Sequence, residues 1–421
     1  MEPDGVELDV SRRVYERLVA AAQVPAPRVR AWEGTTWGPV DAASTIVLRH
    51  PGALRAVAFP PSDLTAGEAY VYDDIDIEGD IFEVLRFGAA VTQRPPGRLA
   101  ALRTMRDLRK LPADHRRNAA LRPGFSGRLH SKRRDADAVS YHYDTGNDFY
   151  RLFLGETMAY SCAYFLDPAE ELDAAQRRKL DVVCRKLELT SGMTLLDIGC
   201  GWGSLVVHAA AKYGVSGTGV TVSAEQAEHA RRLAKERGVD DRVSIIHGDY
   251  REVRGQFDAI ASIGMVEHVG ANRLPEYFGH ARRLLAGGGQ FLNHGITTRD
   301  RHPGRRRPTF VSTYVFPDGE LETVDVMAGA AADQGLEVRD VEALRMSYAR
   351  TLRHWVANLE ADRDRAVAMT DERTYRTWRA YMAGSALAFE SAGIGIHQFL
   401  LADPERPWRY GRRRLLAADD V

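Results

Sequence analysis

Three cysteines in 421 residues, Cys162, Cys184 and Cys200, are odd in number and fit no disulfide or zinc spacing. No clustered histidines supply a metal site in their place, so no metal is expected. No stretch approaches the roughly 20 apolar residues that a membrane span needs. The opening, MEPDGVELDV, is acidic and has no apolar run, so no signal peptide is expected. An excess of charge is missing too: 57 Lys and Arg against 58 Asp and Glu leave a net charge of -1, which excludes a global pull toward nucleic acid or membrane. Internal repeats and low-complexity tails are absent. What remains is a soluble or peripheral protein of a reducing cytoplasm, long enough for two or three domains.

Acid is scarce in one place. Between Arg94 and Arg134, eleven further basic residues, from Arg98 to Arg133, face only Asp107 and Asp114. Within RLAALRTMRDLRKL the apolar residues Leu99, Leu102, Met105, Leu108 and Leu111 recur every three positions between arginines, which predicts a helix with an apolar stripe and basic flanks. Two readings stay open: a solvated linker helix, or a helix lying on an anionic bilayer, where each basic residue contributes about 1 kcal/mol. The chain divides accordingly into a small α+β domain associated with lipid or membrane (residues 1–90), a basic amphipathic linker (91–140) and a catalytic domain (141–421). In the first, SRRVYERLVAAAQ reads as helix and STIVLRH and EAYVYDDIDIEG as strands.

From about 141 to 300, TLLDIG, VSGTGVTV, RVSIIHGD, FDAIASIG and GQFLNHG are short β-rich runs separated by helical stretches. That alternation predicts a parallel sheet in an α/β domain. A late helix is expected over DERTYRTWRAYMAGSALAFE.

LLDIGCGWGS follows the first of these strands and precedes a helix. Gly199, Gly201 and Gly203 stand two apart, unlike the G-x-G-x-x-G of a dinucleotide site. Glycines still permit a tight turn and close backbone approach, and helix N-terminal amides attract negative charge. Asp197 on the strand suits an amine-bearing or cationic ligand. The combination resembles motif I of S-adenosylmethionine (SAM) dependent methyltransferases; a purely structural glycine turn is the alternative. The next strand ends on Thr221, where an acid is usual. Ser223 and Gln226 form an S-x-x-Q capping box, and Thr221 and Gln226 are candidate contacts to the nucleoside. Asp249 and Tyr250, in HGDY, are placed to accept from an exocyclic amine and to stack on a base.

YHYDTGNDFYRLFLGETMAYSCAYF, LLDIGCGWGS, GVTVSAEQ, IGMVEHVG and YVFPDGEL stand in one order. Together they resemble the cyclopropane-fatty-acyl-phospholipid synthase family, which includes the mycolic acid cyclopropane synthases, over about residues 140–400. The resemblance implies a class I, Rossmann-like methyltransferase fold with a mostly parallel seven-stranded sheet, a helical lipid-binding cap and a small α+β N-terminal domain. It implies SAM as methyl donor and adds Tyr141, Tyr160 and Ser161 to the SAM site. The implied substrate is the cis double bond of an unsaturated acyl chain in membrane phospholipid, alkylated through a carbocation.

A proton must then leave the new methyl group if a ring is to close. Similar members hold bicarbonate as the base, and its ligands map here onto Cys162, Glu267, His294, the backbone amide of Ile296, and Tyr348. Backbone N–H, phenol and imidazole N–H donate to an oxyanion, while Glu267 can orient His294 or accept the bicarbonate hydroxyl. Cys162 is thus an anion ligand and not a nucleophile. Some relatives carry a cysteine where this chain has Ser385; either no thiol is needed there, the favoured reading, or this chain has lost activity. Each residue also has a structural alternative: Glu267 a satisfied acid, His294 a carbonyl partner ending its strand, Tyr348 plain packing. Tyr160, Tyr164, Phe165, Tyr314 and Phe316 either pack in the core or face the developing cation.

The expected product is a cyclopropane. A hydride shift before proton loss gives a methylene branch instead, for a separate reductase to convert to a methyl. A small-molecule methyltransferase of the same fold is the further alternative. The expected setting is the inner face of the cell membrane, as a homodimer that gains avidity from two contacts.

Overall fold

The structure, a computed structural model, describes residues 3–94, 97–113, 134, 146–300 and 308–407. It separates into two units that do not follow the sequence division at 90 and 140. The first comprises residues 1–124, 305–317 and 360–387, and the second 125–304, 318–359 and 388–421.

In the first unit, β1 (Arg28–Arg30), β2 (Thr36–Trp37), β3 (Ser44–Leu48) and β4 (Ile75–Gly79) form a sheet of order β2-β1-β3-β4. The strand expected over EAYVYDDIDIEG begins as helix: Ser62 caps a helix, Asp63–Val71, by accepting from the Thr65 amide, and only β4 is extended. A capped N-terminus outweighs the β-propensity of the Tyr-Val-Tyr run.

The basic stripe also behaves differently from a linker. Its helix, Arg98–Leu108, joins the core of this unit, with Leu108 and Leu111 buried against Val10 and Val14 of the helix Pro3–Ala22, while Leu99 and Leu102 are exposed. At 100° per residue a spacing of three falls about 60° short of a turn at each step. Leu99 and Leu108 therefore lie on opposite faces. The basic residues from Arg116 to Arg133 lie outside the described residues.

Residues 360–387 belong to this unit because their arginines complete its backbone. Arg376 donates to the Tyr70 carbonyl at 2.9 Å, and Arg379 donates to the carbonyls of Ile77 at 3.2 Å and Gly79 at 3.1 Å. The Phe310 amide donates to Asp63, and Tyr314 donates to Glu68. Tyr314 and Phe316 are thus held in the first unit, the latter edge-on to Tyr381.

The second unit is a seven-stranded sheet, built from β5 (Thr194–Ile198), β6 (Ser216–Thr221), β7 (Val243–His247), β8 (Phe257–Ile263), β9 (Leu285–Thr298), β10 (Glu337–Ala343) and β11 (Ile394–Ala402). Its order is β10-β11-β9-β8-β5-β6-β7. The strands from β5 to β9 pair in parallel, and β11 runs antiparallel to β9 and to β10. Buried runs such as Leu195, Leu196 and Ile198 on β5 and Ile260 on β8 pack against helices, as a sheet covered on its faces requires. The five β-rich runs read from the sequence correspond to β5 through β9. His294 is interior to the long β9, paired with Ile263 of β8 and Gln398 of β11, where the sequence had suggested a strand end.

Candidate active site

Three glycines shape the turn after β5. Gly199, Gly201 and Gly203 have φ of 75°, 53° and 87°, in the region that favours glycine. A Cβ on Gly203 would meet the Ala230 Cβ at 2.7 Å, so helix Ser204–Tyr213 starts flush against helix Ala224–Glu236. No described side chain caps helix 204–213, which leaves its first amides open to a ligand or solvent.

An open cleft of about 1280 Å³, its solvent-filled mouth included, lies along the ends of β5, β6 and β8. Tyr160, Ser161, Asp197, Gly199 and Gly201 line it, together with Thr221, Gln226, Asp249 and Tyr250. This is the crevice outside the strand ends where open α/β sheets bind ligands. Gly203 stands behind the turn instead, and Tyr141 lies outside the described residues.

Two local arrangements differ from the sequence reading. Ser223 caps its helix, accepting from the Gln226 amide at 3.3 Å, but the Gln226 side chain does not return to complete a box. It accepts from Thr221 Oγ1 at 2.8 Å. Buried Thr221, 5% exposed, needs an acceptor and finds it there. Asp249 is already engaged: Arg251 donates to it from Nε at 2.8 Å, from its second guanidinium nitrogen at 2.6 Å, and from its own amide at 2.9 Å. Any further donor must share those oxygens.

The sequence reading missed Lys179. It lines the cleft at 2% exposure, and its Nζ donates to Ser161 Oγ at 2.9 Å. Burial lowers its pKa to about 8, opposed by Cys162 and Asp197, and burial raises Asp197 to about 7, opposed by Lys179. A buried ammonium and carboxylate match the two ends of an amino acid. A legible signal existed: Ala175, Gln176, Lys179, Leu180 and Val183 share the buried face of helix Leu172–Lys186.

The five residues expected at an anion site are linked through β9 and β11. Glu267, in the turn Val266–His268 after β8, accepts from the Ile296 amide through Oε1 at 2.7 Å. The amide expected to face an anion is therefore donated to Glu267, and Ile296 here positions that carboxyl. Ile296 pairs with Ile396, whose carbonyl accepts from the Leu344 amide. The Leu344 carbonyl receives the Tyr348 amide and, at 3.8 Å, the Cys162 thiol. Rings continue this path to the cleft. Tyr160 lies 5.2 Å from Trp355, which stands perpendicular to Tyr348 at 6.0 Å, and Tyr348 meets Phe389 at 4.8 Å. Tyr164 donates to Glu342, and Phe165 stacks on His354.

Burial sets the electrostatics. Cys162 is fully buried and donates to the Ala163 carbonyl at 3.2 Å; desolvation pushes its thiol far up, so it stays protonated. Desolvation raises Glu267 to about 7 against the pull of the Ile296 amide. It drives His294 well down, helped by Lys179 and Lys186, so the imidazole is neutral. Glu267 Oε2 and His294 Nε2 are buried without a hydrogen-bond partner among the described residues. No cluster of metal-ligating residues occurs among the described residues.

A glycine turn opening a helix, a crevice at the strand ends and this sheet order define a class I SAM-dependent methyltransferase. The profile of the mycolic acid cyclopropane synthetase family matches residues 130–399, and the chain belongs to that family. A probable fatty acid methyltransferase of Pseudomonas putida is 40% identical over 394 residues, spanning 90% of this chain and 94% of its own length. A solved cyclopropane synthase from Mycobacterium tuberculosis is 34% identical, with a TM-score of 0.61 over 63% of this chain and 98% of that one. A mycolic acid cyclopropane synthase solved with S-adenosylhomocysteine and CTAB is 35% identical, with a TM-score of 0.60 and the same coverage. The cleft's glycine turn, Ser161, Lys179 and Asp197 fit SAM, the cofactor of this class.

Proposed function

We propose that this chain transfers the SAM methyl group to the cis double bond of an unsaturated fatty acyl chain in membrane phospholipid, giving a cyclopropane fatty acid. The observation that carries the reading is that two buried atoms of this group, Glu267 Oε2 and His294 Nε2, have no partner among the described residues. Each unmet polar atom costs on the order of 1–3 kcal/mol, which a small ligand able both to donate and to accept would offset. Bicarbonate is such a ligand, and when bound it supplies a base for a proton of the new methyl.

The residues around it have stated parts. Glu267, with its pKa near 7, can accept from a hydroxyl once ionised, and the Ile296 amide fixes its direction. Neutral His294 and Tyr348 offer donors to an oxyanion. Cys162 keeps its proton in an apolar setting, so it neither takes the methyl group nor traps a carbocation. The rings of Tyr160, Trp355 and Tyr348 can each stabilise a nearby cation by about 0.5–2 kcal/mol.

A methylene-branched product is the second reading. The relative matched over 90% of this chain is named a probable fatty acid methyltransferase, a name that leaves the product open between ring and branch. Delivery to lipid is assigned to the helix Arg98–Leu108, whose Leu99 and Leu102 are 73% and 68% exposed beside Arg98, Arg103 and Arg106. No described helix is long and apolar enough to cross a membrane. A homodimer would double this contact.

Expression in a host lacking its own enzyme, followed by lipid mass spectrometry, tests the reading. Conversion of mono-unsaturated acyl chains with a gain of one CH₂ supports it; an unchanged lipid profile with a methylated small molecule defeats it.

A further inference from the structure

We propose that Lys186 and Gln398 form a buried positioning pair that holds His294 as the neutral tautomer protonated on Nε2, so that the imidazole donates toward the anion site and does not act as its base. The proposal rests on the anion-site reading above for what Nε2 faces, but not for the tautomer itself.

Lys186 ends helix Leu172–Lys186 at 5% exposure, and its Nζ donates to Gln398 Oε1 at 2.7 Å and to Glu342 Oε2 at 2.5 Å. An ammonium has no lone pair, so the amide group beside it must present oxygen. That choice fixes the Gln398 amide, whose nitrogen is then turned to His294 Nδ1 at 3.4 Å. An NH₂ facing Nδ1 requires a lone pair there. The ring proton therefore sits on Nε2, the nitrogen that is buried without a partner among the described residues.

Backbone geometry makes the arrangement firm. His294 and Gln398 are cross-strand partners on β9 and β11, both at 1% exposure, so their side chains leave neighbouring backbones in one direction. Glu342 balances the Lys186 charge, and Tyr164 donates to its other oxygen at 2.8 Å. Burial and the positive charges of Lys179 and Lys186 keep a second proton off the ring. Nothing else in the mechanism explains why a lysine and a glutamine are buried behind this histidine.

Full-length protein labelled with ¹⁵N-histidine tests this. The His294 signals are identified by their loss in His294→Gln. Wild-type protein is expected to show an Nε2-protonated neutral ring. Gln398→Glu replaces the donor with an acceptor, so the tautomer should switch to Nδ1-protonated. Turnover with SAM and unsaturated phospholipid vesicles should then fall on the order of 10- to 100-fold, typical of losing an orienting partner, with SAM affinity unchanged. Lys186→Arg keeps the donor and should keep both tautomer and turnover. An Nδ1-protonated or doubly protonated ring in the wild type would overturn the proposal, as would a switched tautomer in Gln398→Glu with full turnover. The expected tautomers in a protein inert toward every acyl lipid would instead sink the functional reading and leave the tautomer assignment standing.

Discussion

Ile296 donates its amide proton to Glu267 Oε1 across 2.7 Å, and the other carboxyl oxygen is buried with no hydrogen-bond partner among the described residues. A carboxyl so placed is expensive when charged. Its pKa is pushed up to about 7, above the ordinary carboxylate range, because burial penalises the anion.

Glu267→Gln is therefore expected to abolish methyl transfer and to stabilise the protein. The folded chain holds a proton that the unfolded chain releases between about pH 4.5 and 7. The associated stability is fully present below 4.5 and lost as pH rises through 7. The variant, which cannot ionise, should thus be more stable than the parent at pH 8 by up to roughly 3 kcal/mol and melt at a higher temperature. The gap should shrink toward pH 4.5. Scanning calorimetry across this range checks it; equal melting temperatures at pH 8 would contradict it.

Gly295→Ala tests the support beneath the carboxyl. A Cβ on Gly295 would run into Val266, the residue before Glu267. The turn must shift, and displacements of this size at a reacting group cost on the order of 100-fold. We expect kcat to collapse while the SAM dissociation constant, read by calorimetry, stays within about twofold.

Lys179→Met removes the ammonium that donates to Ser161 in the cleft. A hydrogen bond to a charged group contributes roughly 1.5–3 kcal/mol, so SAM affinity should fall about 10- to 100-fold. The loss should be far smaller for decarboxylated SAM, since the lysine is assigned to the carboxylate end. An equal loss for both ligands would show a merely structural lysine.

Leu99→Asp with Leu102→Asp tests lipid delivery. Both leucines are exposed, so the core of the first unit is untouched. Co-sedimentation with anionic phospholipid vesicles should drop several-fold with no change in melting temperature. Undiminished vesicle binding would remove this helix from the account.

The sequence exposed some of this and hid the rest, for physical reasons. The parallel strands were legible because β5 through β9 are apolar runs bounded by glycine and turn residues. The SAM-facing turn was legible because only glycine tolerates its dihedrals. The unit division was not, since Arg376 and Arg379 reach back some 300 residues to cap carbonyls near β4, and no local pattern encodes so distant a partner. Met105, Leu108 and Leu111 looked equivalent to Leu99 and Leu102, yet the drift of a three-residue spacing sends them to different faces. Lys179 was legible in principle from the apolar face it shares with Ala175, Leu180 and Val183, whereas nothing local marks Lys186 or Gln398, because burial of a polar side chain shows only when the opposing face is known.

Transfer from SAM carrying a trideuterated methyl group, with cis-unsaturated phospholipid vesicles as acceptor, tests the central claim most directly. Alkylation of an alkene followed by loss of a methyl proton predicts an acyl chain that keeps two of the three deuterons. A product that keeps all three, or that forms only on a small molecule with no lipid present, would contradict it.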